Sequence, residues 1–177
     1  MGLLLTSTIL LSSLLLAWLR GGRLKGTIPG YVYPLLAVAV QLPISQLFPG
    51  TLVGKLANIA GYLLLVPFLW INRRSTGLML VAVGVLLNFT VISANGGRMP
   101  ADNVRIAALG VRVPEGELAK HQPLGPDTRL PFLADVIRAW PLPELISFGD
   151  IFIAAGTFLF IQEMMGLTLR RWRHAPA

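Results

Sequence analysis

Residues 77–94 read GLMLVAVGVLLNFTVISA and carry no charged side chain. A helix of roughly 20 apolar residues crosses the hydrocarbon core of a bilayer, which is about 30 Å thick. Four more apolar runs lie at residues 2–19, 31–48, 52–71 and 147–166. The chain is therefore predicted to be all-α: a single transmembrane domain, an integral membrane bundle of about five transmembrane helices, with one long loop at residues 95–146.

The composition supports lipid as the surrounding medium. Hydrophobic residues make up 54% of the chain and charged residues 13%, and the mean hydropathy is +0.69. The formal net charge of +7 is spread between and after the apolar runs. We therefore expect the lipid bilayer as partner and not nucleic acid. The absence of cysteine excludes disulfides and thiolate metal sites, and only His121 and His174 supply an imidazole.

The positions of the basic residues predict the orientation in the cell membrane. Basic clusters follow the first, third and fifth runs, whereas the six Lys and Arg of loop 95–146 are balanced by six Asp and Glu. Positive loops stay on the cytoplasmic side. The predicted multi-pass topology places the N-terminus outside, loop 95–146 outside and the C-terminus in the cytoplasm. The clusters are Arg20, Arg23, Lys25; Arg73, Arg74; and Arg170, Arg171, Arg173, His174.

Within the long loop, residues 131–140 show a helical apolar pattern. Their apolar side chains recur at spacings of one and four, Pro131 suits a first helical position, and Pro141 and Pro143 would end the helix. The pattern predicts a short amphipathic helix that lies on the outer leaflet or covers the bundle.

The motif Asn95-Gly96-Gly97-Arg98-Met99-Pro100 follows the fourth run and has two interpretations. Asn and Gly adopt the left-handed conformation that ends a helix, and a following Pro prevents its continuation. Alternatively, the glycine N–H groups and the Arg98 guanidinium form a cradle for a phosphate or carboxylate.

Ser147-Phe148-Gly149-Asp150 has the spacing of a capping box at the start of the fifth helix. Asp150 falls on the same side of the membrane as Arg98. A carboxylate at the bilayer edge is less costly beside a guanidinium. We therefore predict an Arg98–Asp150 ion pair that ties the two ends of the loop together.

Several amides are predicted to lie within the apolar helices. Asn88 and Asn95 are seven residues apart and share a helix face, with Gly84 on roughly the same stripe. Gln41 of the second helix is expected at a depth comparable to Asn88, and Asn58 of the third helix nearer the outside. Such amides either form hydrogen bonds between helices, with Gly84 allowing close approach, or line a polar vestibule. Glu163 is expected to be a surface charge near the cytoplasmic interface.

Three of these segments also carry a resemblance. Leu87-Asn88-Phe89, the motif at residues 95–100, and Ser147 to Ile151 with the apolar run through Phe160-Ile161 resemble an uncharacterised bacterial family of small multi-pass membrane proteins, a domain of unknown function. The resemblance covers most of the chain and implies a fold type but no activity. It implies that the signature positions are Asn95, Gly96, Gly97, Arg98, Pro100 and Asp150.

Standard hydrolase and nucleotide motifs are absent, so no catalytic residue, metal ligand or cofactor is assigned. The leading prediction is a non-catalytic subunit or interaction partner in a complex of membrane proteins. The alternative is an outer-face binding site or enzyme for an anionic lipid head group or lipid-linked substrate. A small transporter or channel is a third possibility. The residues of the alternative site are Asn88, Asn95, Gly96, Gly97, Arg98 and Asp150.

Overall fold

The computed structural model describes residues 3–24, 27–48, 51–102 and 121–167, and these residues are mostly helical. The basic tail predicted at residues 170–174, Lys25, and residues 103–120 of the long loop lie outside the described residues. Two of the helices, α3 and α4, are long and apolar enough to cross a membrane by length and composition, and α1 and α2 are shorter and apolar. The described residues form five α-helices, which are α1 Leu3–Leu19, α2 Val32–Leu47, α3 Leu52–Ile71, α4 Thr76–Ala94 and α5 Phe148–Met164.

Hydroxyl side chains begin three of the helices. Thr51 accepts a hydrogen bond from the Gly54 amide at 3.3 Å, and Ser75 accepts one from Leu78 at 3.0 Å. Ser147 begins α5 with both bonds of a capping box. Each cap satisfies an amide that has no partner within its own helix, which fixes where α3, α4 and α5 begin.

The helices pack as two groups. Helix α5 packs along α4 on one side and α1 on the other, while α2 packs mainly on α3, and α3 makes a smaller contact with α4. We call these the α1–α4–α5 group and the α2–α3 pair. The α1–α4–α5 group cannot form until α5 is present, because α1 packs on α5 although the two helices are far apart in the sequence.

Two glycine pairs set the antiparallel contact of α4 with α5. Gly84 lies against Gly149, and Gly77 lies against Gly156. A Cβ added at Gly156 would lie 2.6 Å from the Gly77 carbonyl oxygen, and one added at Gly84 would lie 2.8 Å from Ile153 Cγ1. Both distances are too short for a side chain, so the backbones meet directly. The pairs stagger the helices, and α4 continues well beyond the start of α5.

The described part of the long loop folds into a small cap, formed by residues 95–102 and 121–146. The cap covers the end of the molecule where α4 ends and α5 begins. Strand β1 (Met99–Ala101) pairs in parallel with β2 (His121–Pro123), and β3 (Ile137–Arg138) pairs antiparallel with β4 (Leu145–Ile146). Asp135 extends the first sheet, because its amide donates to the Pro100 carbonyl at 3.0 Å. Below, "cap end" denotes this end of the molecule and "basic end" the opposite one, where Arg20, Arg23, Arg73 and Arg74 are exposed.

The prediction of an amphipathic helix at residues 131–140 is wrong. Only Pro131–Leu133 forms a 3₁₀ turn, and Ile137–Arg138 lies in strand β3. The supposed apolar face is exposed at Phe132 and Trp140, whereas Asp135 of the supposed polar face is buried. The backbone of this segment finds its hydrogen-bond partners in β1 and β4 instead of within a helix.

A carboxylate from the cap anchors the first helix. Both oxygens of Glu144 accept hydrogen bonds from the amides of Leu4 and Leu5, and the side chain is buried. These amides have no partner within α1, and the helix N-terminus carries a partial positive charge that favours a carboxylate. The cap therefore fixes the start of α1 from a position 140 residues away in the sequence.

We expect Glu144→Gln to destabilise the protein by about 1 kcal/mol, and by up to about 2 kcal/mol because the site is buried. Glutamine keeps one acceptor oxygen but loses the charge that the helix end favours. Thermal unfolding in detergent measures the effect, and Asp127→Asn, at an exposed carboxylate of the cap, is the control. Equal stability of Glu144→Gln, Glu144→Ala and the unchanged protein would contradict this anchoring role.

A second carboxylate begins α4 at the basic end. Glu163 of α5 accepts hydrogen bonds from the Ser75 hydroxyl and, at 3.2 Å, from the Gly77 amide. Glu163 is thus not the surface charge expected from the sequence. The stagger of α4 against α5 brings it to the first turn of α4, where orphan amides and the helix dipole favour a carboxylate.

Candidate functional site

Asn88, Ser147 and Asp150 form a closed ring of hydrogen bonds where α5 begins against α4. Asn88 Nδ2 donates to Asp150 Oδ1 at 3.0 Å, and the Ser147 hydroxyl donates to Asn88 Oδ1 at 2.9 Å. The capping box completes the ring, since the Ser147 amide donates to Asp150 Oδ2 at 3.0 Å. The side-chain amide of Asn88 in α4 therefore packs against the capping box that begins α5. Both of its polar atoms form hydrogen bonds with protein groups.

The predicted Arg98–Asp150 ion pair is not formed. The carboxylate of Asp150 accepts from Asn88 and Ser147, while the Arg98 guanidinium donates to the His121 carbonyl in strand β2. The stagger of the helices explains the difference, because it brings Asn88, and not Arg98, beside the first turn of α5. Arg98, which directly precedes strand β1, instead bonds to the first residue of strand β2.

Asn95 connects the end of α4 to the cap. Its Nδ2 donates to the carbonyls of Val91 and Arg129, both at 2.8 Å, and its Oδ1 accepts from the Arg129 amide at 3.0 Å. One side chain thus binds both backbone groups of a residue 34 positions further along. This two-point bond fixes the cap to the helix end.

Asn95→Ala should release this part of the cap. We expect a loss of roughly 1–2 kcal/mol, because two cap hydrogen bonds disappear and Arg129 loses its partners. Trypsin should then cleave after Arg129, an exposed residue, several times faster than in the unchanged protein. Ser93→Ala, at an exposed position two residues earlier, is the control, and equal cleavage of all three proteins would rule out the bond's contribution.

The glycines of the motif end α4. Gly96 and Gly97 have φ of +68° and +84°, a conformation that side chains disfavour. Their amides donate to the Ser93 and Ile92 carbonyls, and a Cβ at Gly97 would lie 2.8 Å from Lys55 Cβ. These N–H groups satisfy the helix end, as the helix-stop interpretation requires.

The amides of α2 and α3 continue from this turn as a chain of hydrogen bonds. Asn58 Nδ2 donates to the Gly97 carbonyl at 2.9 Å, and Gln41 donates to Asn58 Oδ1. Asn58 is buried. Of the two interpretations offered by the sequence, these contacts favour interhelical hydrogen bonds over a polar vestibule, and they join the α2–α3 pair to the motif.

The cap also contains a buried His–Asp pair that sequence reasoning missed. His121 Nε2 lies 3.3 Å from Asp135 Oδ2, and both side chains are buried. Within the described part of the chain, Asp135 Oδ1 has no hydrogen-bond partner. The two residues come from β2 and from the segment on the other side of β1, so no local spacing links them. Among the described residues, no cluster of three His, Asp or Glu side chains is placed to hold a metal ion.

These observations define a class: a small, mostly helical protein with apolar helices and a hydrogen-bonded loop cap. The chain belongs to the Family of unknown function (DUF5317), which matches residues 28–162. The matched segment begins after α1 and includes both the motif at residues 95–100 and the start of α5. The match confirms one part of the resemblance, namely that the chain belongs to a family of unknown function.

The chain is also similar to an uncharacterized protein of Thermotoga maritima. The two are 33% identical over 96 residues, which cover 52% of this chain and 54% of the relative. The chain thus spans about half the length of that relative. No solved structure matches the chain.

Proposed function

We propose that the chain is a five-span membrane protein with its cap outside the cell and its basic end in the cytoplasm. The support is the surface of the helices. Large apolar side chains project outward from four of them: Trp18 is 68% exposed, Leu35 61%, Leu56 55% and Leu86 63%. Such surfaces are unfavourable in water and suit the hydrocarbon of a bilayer.

Cysteine labelling tests this orientation, because the chain has no cysteine of its own. Thr27→Cys at the basic end and Asp127→Cys in the cap both replace exposed residues. We expect a membrane-impermeant maleimide added outside intact cells to label only Asp127→Cys. Labelling of Thr27→Cys alone would reverse the orientation, and extraction of the protein by alkaline carbonate would overturn membrane insertion.

We further propose that the protein is a non-catalytic subunit or interaction partner in a complex of membrane proteins. The supporting observation is that polar groups of the candidate site are engaged in hydrogen bonds within the chain. Asn88, Asn95 and Asp150 are held in hydrogen bonds within the chain, and the Gly96 and Gly97 amides donate to α4. A site built this way holds helices and cap together, which is the property of a scaffold for assembly rather than of a reaction centre.

Purification from native membranes in a mild detergent, followed by mass spectrometry, tests this role. We expect stoichiometric protein partners that recur between preparations. A protein that purifies alone with one anionic lipid would favour the outer-face site at Arg98 instead. In that case Arg98→Gln should lose the lipid, and Arg129→Gln, at an exposed arginine of the cap, should keep it.

A further inference from the structure

The gap between the α2–α3 pair and the α1–α4–α5 group is bridged at the cap end and contains a cavity nearer the basic end. At the cap end, Asn58 bonds to Gly97, and the rings of Tyr62 and Phe89 lie 6.2 Å apart. Towards the basic end the gap widens into a partly open cavity of about 440 Å³. All five helices contribute to its walls, among them Leu14, Pro34, Leu65, Leu78, Val81 and Phe160.

The cavity is lined almost entirely by apolar side chains, with Thr157 the exception. Its volume falls within the range of about 300–1,000 Å³ that is typical of ligand sites. Water is a poor occupant, because apolar cavities offer it no hydrogen bonds. An empty cavity would leave the side chains of five helices without contacts on one side. A hydrocarbon chain is therefore the occupant that best fits this lining.

The loop at the basic end brings positive charge close to this cavity. The Arg23 amide donates to the Met165 carbonyl at 3.2 Å, and the Pro29 carbonyl accepts from Asn72 Nδ2 at 2.8 Å. This loop thus runs from the end of α5 to the end of α3, and its Leu24 and Ile28 line the cavity. The exposed Arg23 lies beside this lining.

Further exposed arginines stand at the same end. Arg73 follows α3 and stacks on Trp70, with its guanidinium carbon 4.9 Å from the ring centroid. Arg20 and Arg74 are exposed as well, whereas the carboxylate of Glu163 is occupied by Ser75 and Gly77. An apolar cavity between helices, with exposed arginines at the same end of the molecule, matches the two parts of an anionic phospholipid.

We propose that this cavity binds one acyl chain of an anionic phospholipid from the leaflet at the basic end, with the lipid phosphate held by Arg23 and Arg73. The proposal rests on the membrane insertion proposed above. The lipid chain completes the packing between the two helix groups, and the arginines select the charge of the head group.

Native mass spectrometry and thermal unfolding in detergent test the proposal, with phosphatidylglycerol and phosphatidylcholine of identical acyl chains as probes. We expect phosphatidylglycerol to be retained and to raise the unfolding temperature more than phosphatidylcholine. Thr157→Phe, which fills the cavity, should reduce retention of both lipids, whereas Thr90→Phe, at an exposed position of α4, should not. The double variant Arg23→Gln/Arg73→Gln should bind phosphatidylglycerol roughly tenfold more weakly or worse, and Arg138→Gln in the cap should match the unchanged protein.

Three results would overturn the lipid site. These are equal binding of the two lipids by the unchanged protein, unchanged binding in the double arginine variant, and retention of detergent alone. The double variant alters exposed side chains only, so it answers the question even if Thr157→Phe fails to fold. Alkaline carbonate extraction separates the two proposals: a protein that stays in the membrane but shows no lipid preference contradicts this inference alone.

Discussion

Replacing Gly84 by alanine should prevent α4 and α5 from packing in their present register. The added Cβ would meet the Gly149 backbone and lie 2.8 Å from Ile153 Cγ1, and backbone atoms cannot move aside without separating the helices. We expect a loss of about 3 kcal/mol or more, the upper end of overpacking costs, because the clash falls on a backbone. The measurement is thermal unfolding in detergent together with size-exclusion chromatography.

The matched controls for this prediction lie on the same two helices. Ala155→Leu adds more volume at an exposed position next to Gly156, and Val83→Leu adds one carbon, as Gly84→Ala does, at an exposed position next to Gly84. Both should leave the unfolding temperature nearly unchanged, whereas Gly156→Ala should resemble Gly84→Ala. A Gly84→Ala protein as stable as these controls would mean that the helices do not meet at the glycines.

Asn88→Ala is expected to produce the second largest loss, because it opens the hydrogen-bonded ring at the start of α5. The Ser147 hydroxyl loses its acceptor in a buried bond, and Asp150 loses a donor in a partly buried one. A buried polar group left without a partner costs about 1–3 kcal/mol. We expect a total near 3 kcal/mol in thermal unfolding, with the cap becoming more accessible to proteases.

Thr90→Ala is the control for Asn88→Ala, since Thr90 is exposed and bonds only to the Leu86 carbonyl of its own helix. A double-mutant cycle with Asp150→Ala sharpens the test. The two substitutions should be strongly non-additive, since each removes the same Asn88–Asp150 bond. Additive losses would show that the ring is not a coupled unit.

The helices could be predicted because length and apolar composition are local properties. The run at residues 52–71 coincides with α3, and the run at residues 77–94 begins one residue after α4 does. The stagger of α4 against α5 could not be predicted, because it depends on which glycines meet. The same stagger decides that Asp150 faces Asn88 instead of Arg98, so the predicted ion pair failed for a reason outside either segment.

The fold of the cap could not be predicted from local sequence patterns. Residues 131–140 have apolar spacing that indicates a helix, yet their backbone pairs with β1 and β4. Met99 pairs with His121, and Ala101 forms a bridge with Asp135, so the partners are separated by more than 20 residues. Periodicity describes a single segment and cannot identify such partners. The buried His121–Asp135 pair follows from the same distant pairing.

The anchoring of α1 has a consequence for the order of events during synthesis. Its start is held by Glu144, and further along the helix Ser13 bonds to the Phe158 carbonyl and accepts from Gln162. At about 5–20 residues per second, the ribosome needs roughly 7–30 s to reach these partners. Over that interval α1 lacks these partners. The docking of α1 therefore follows the synthesis of α5, and a ribosome stalled before residue 144 would leave α1 unattached.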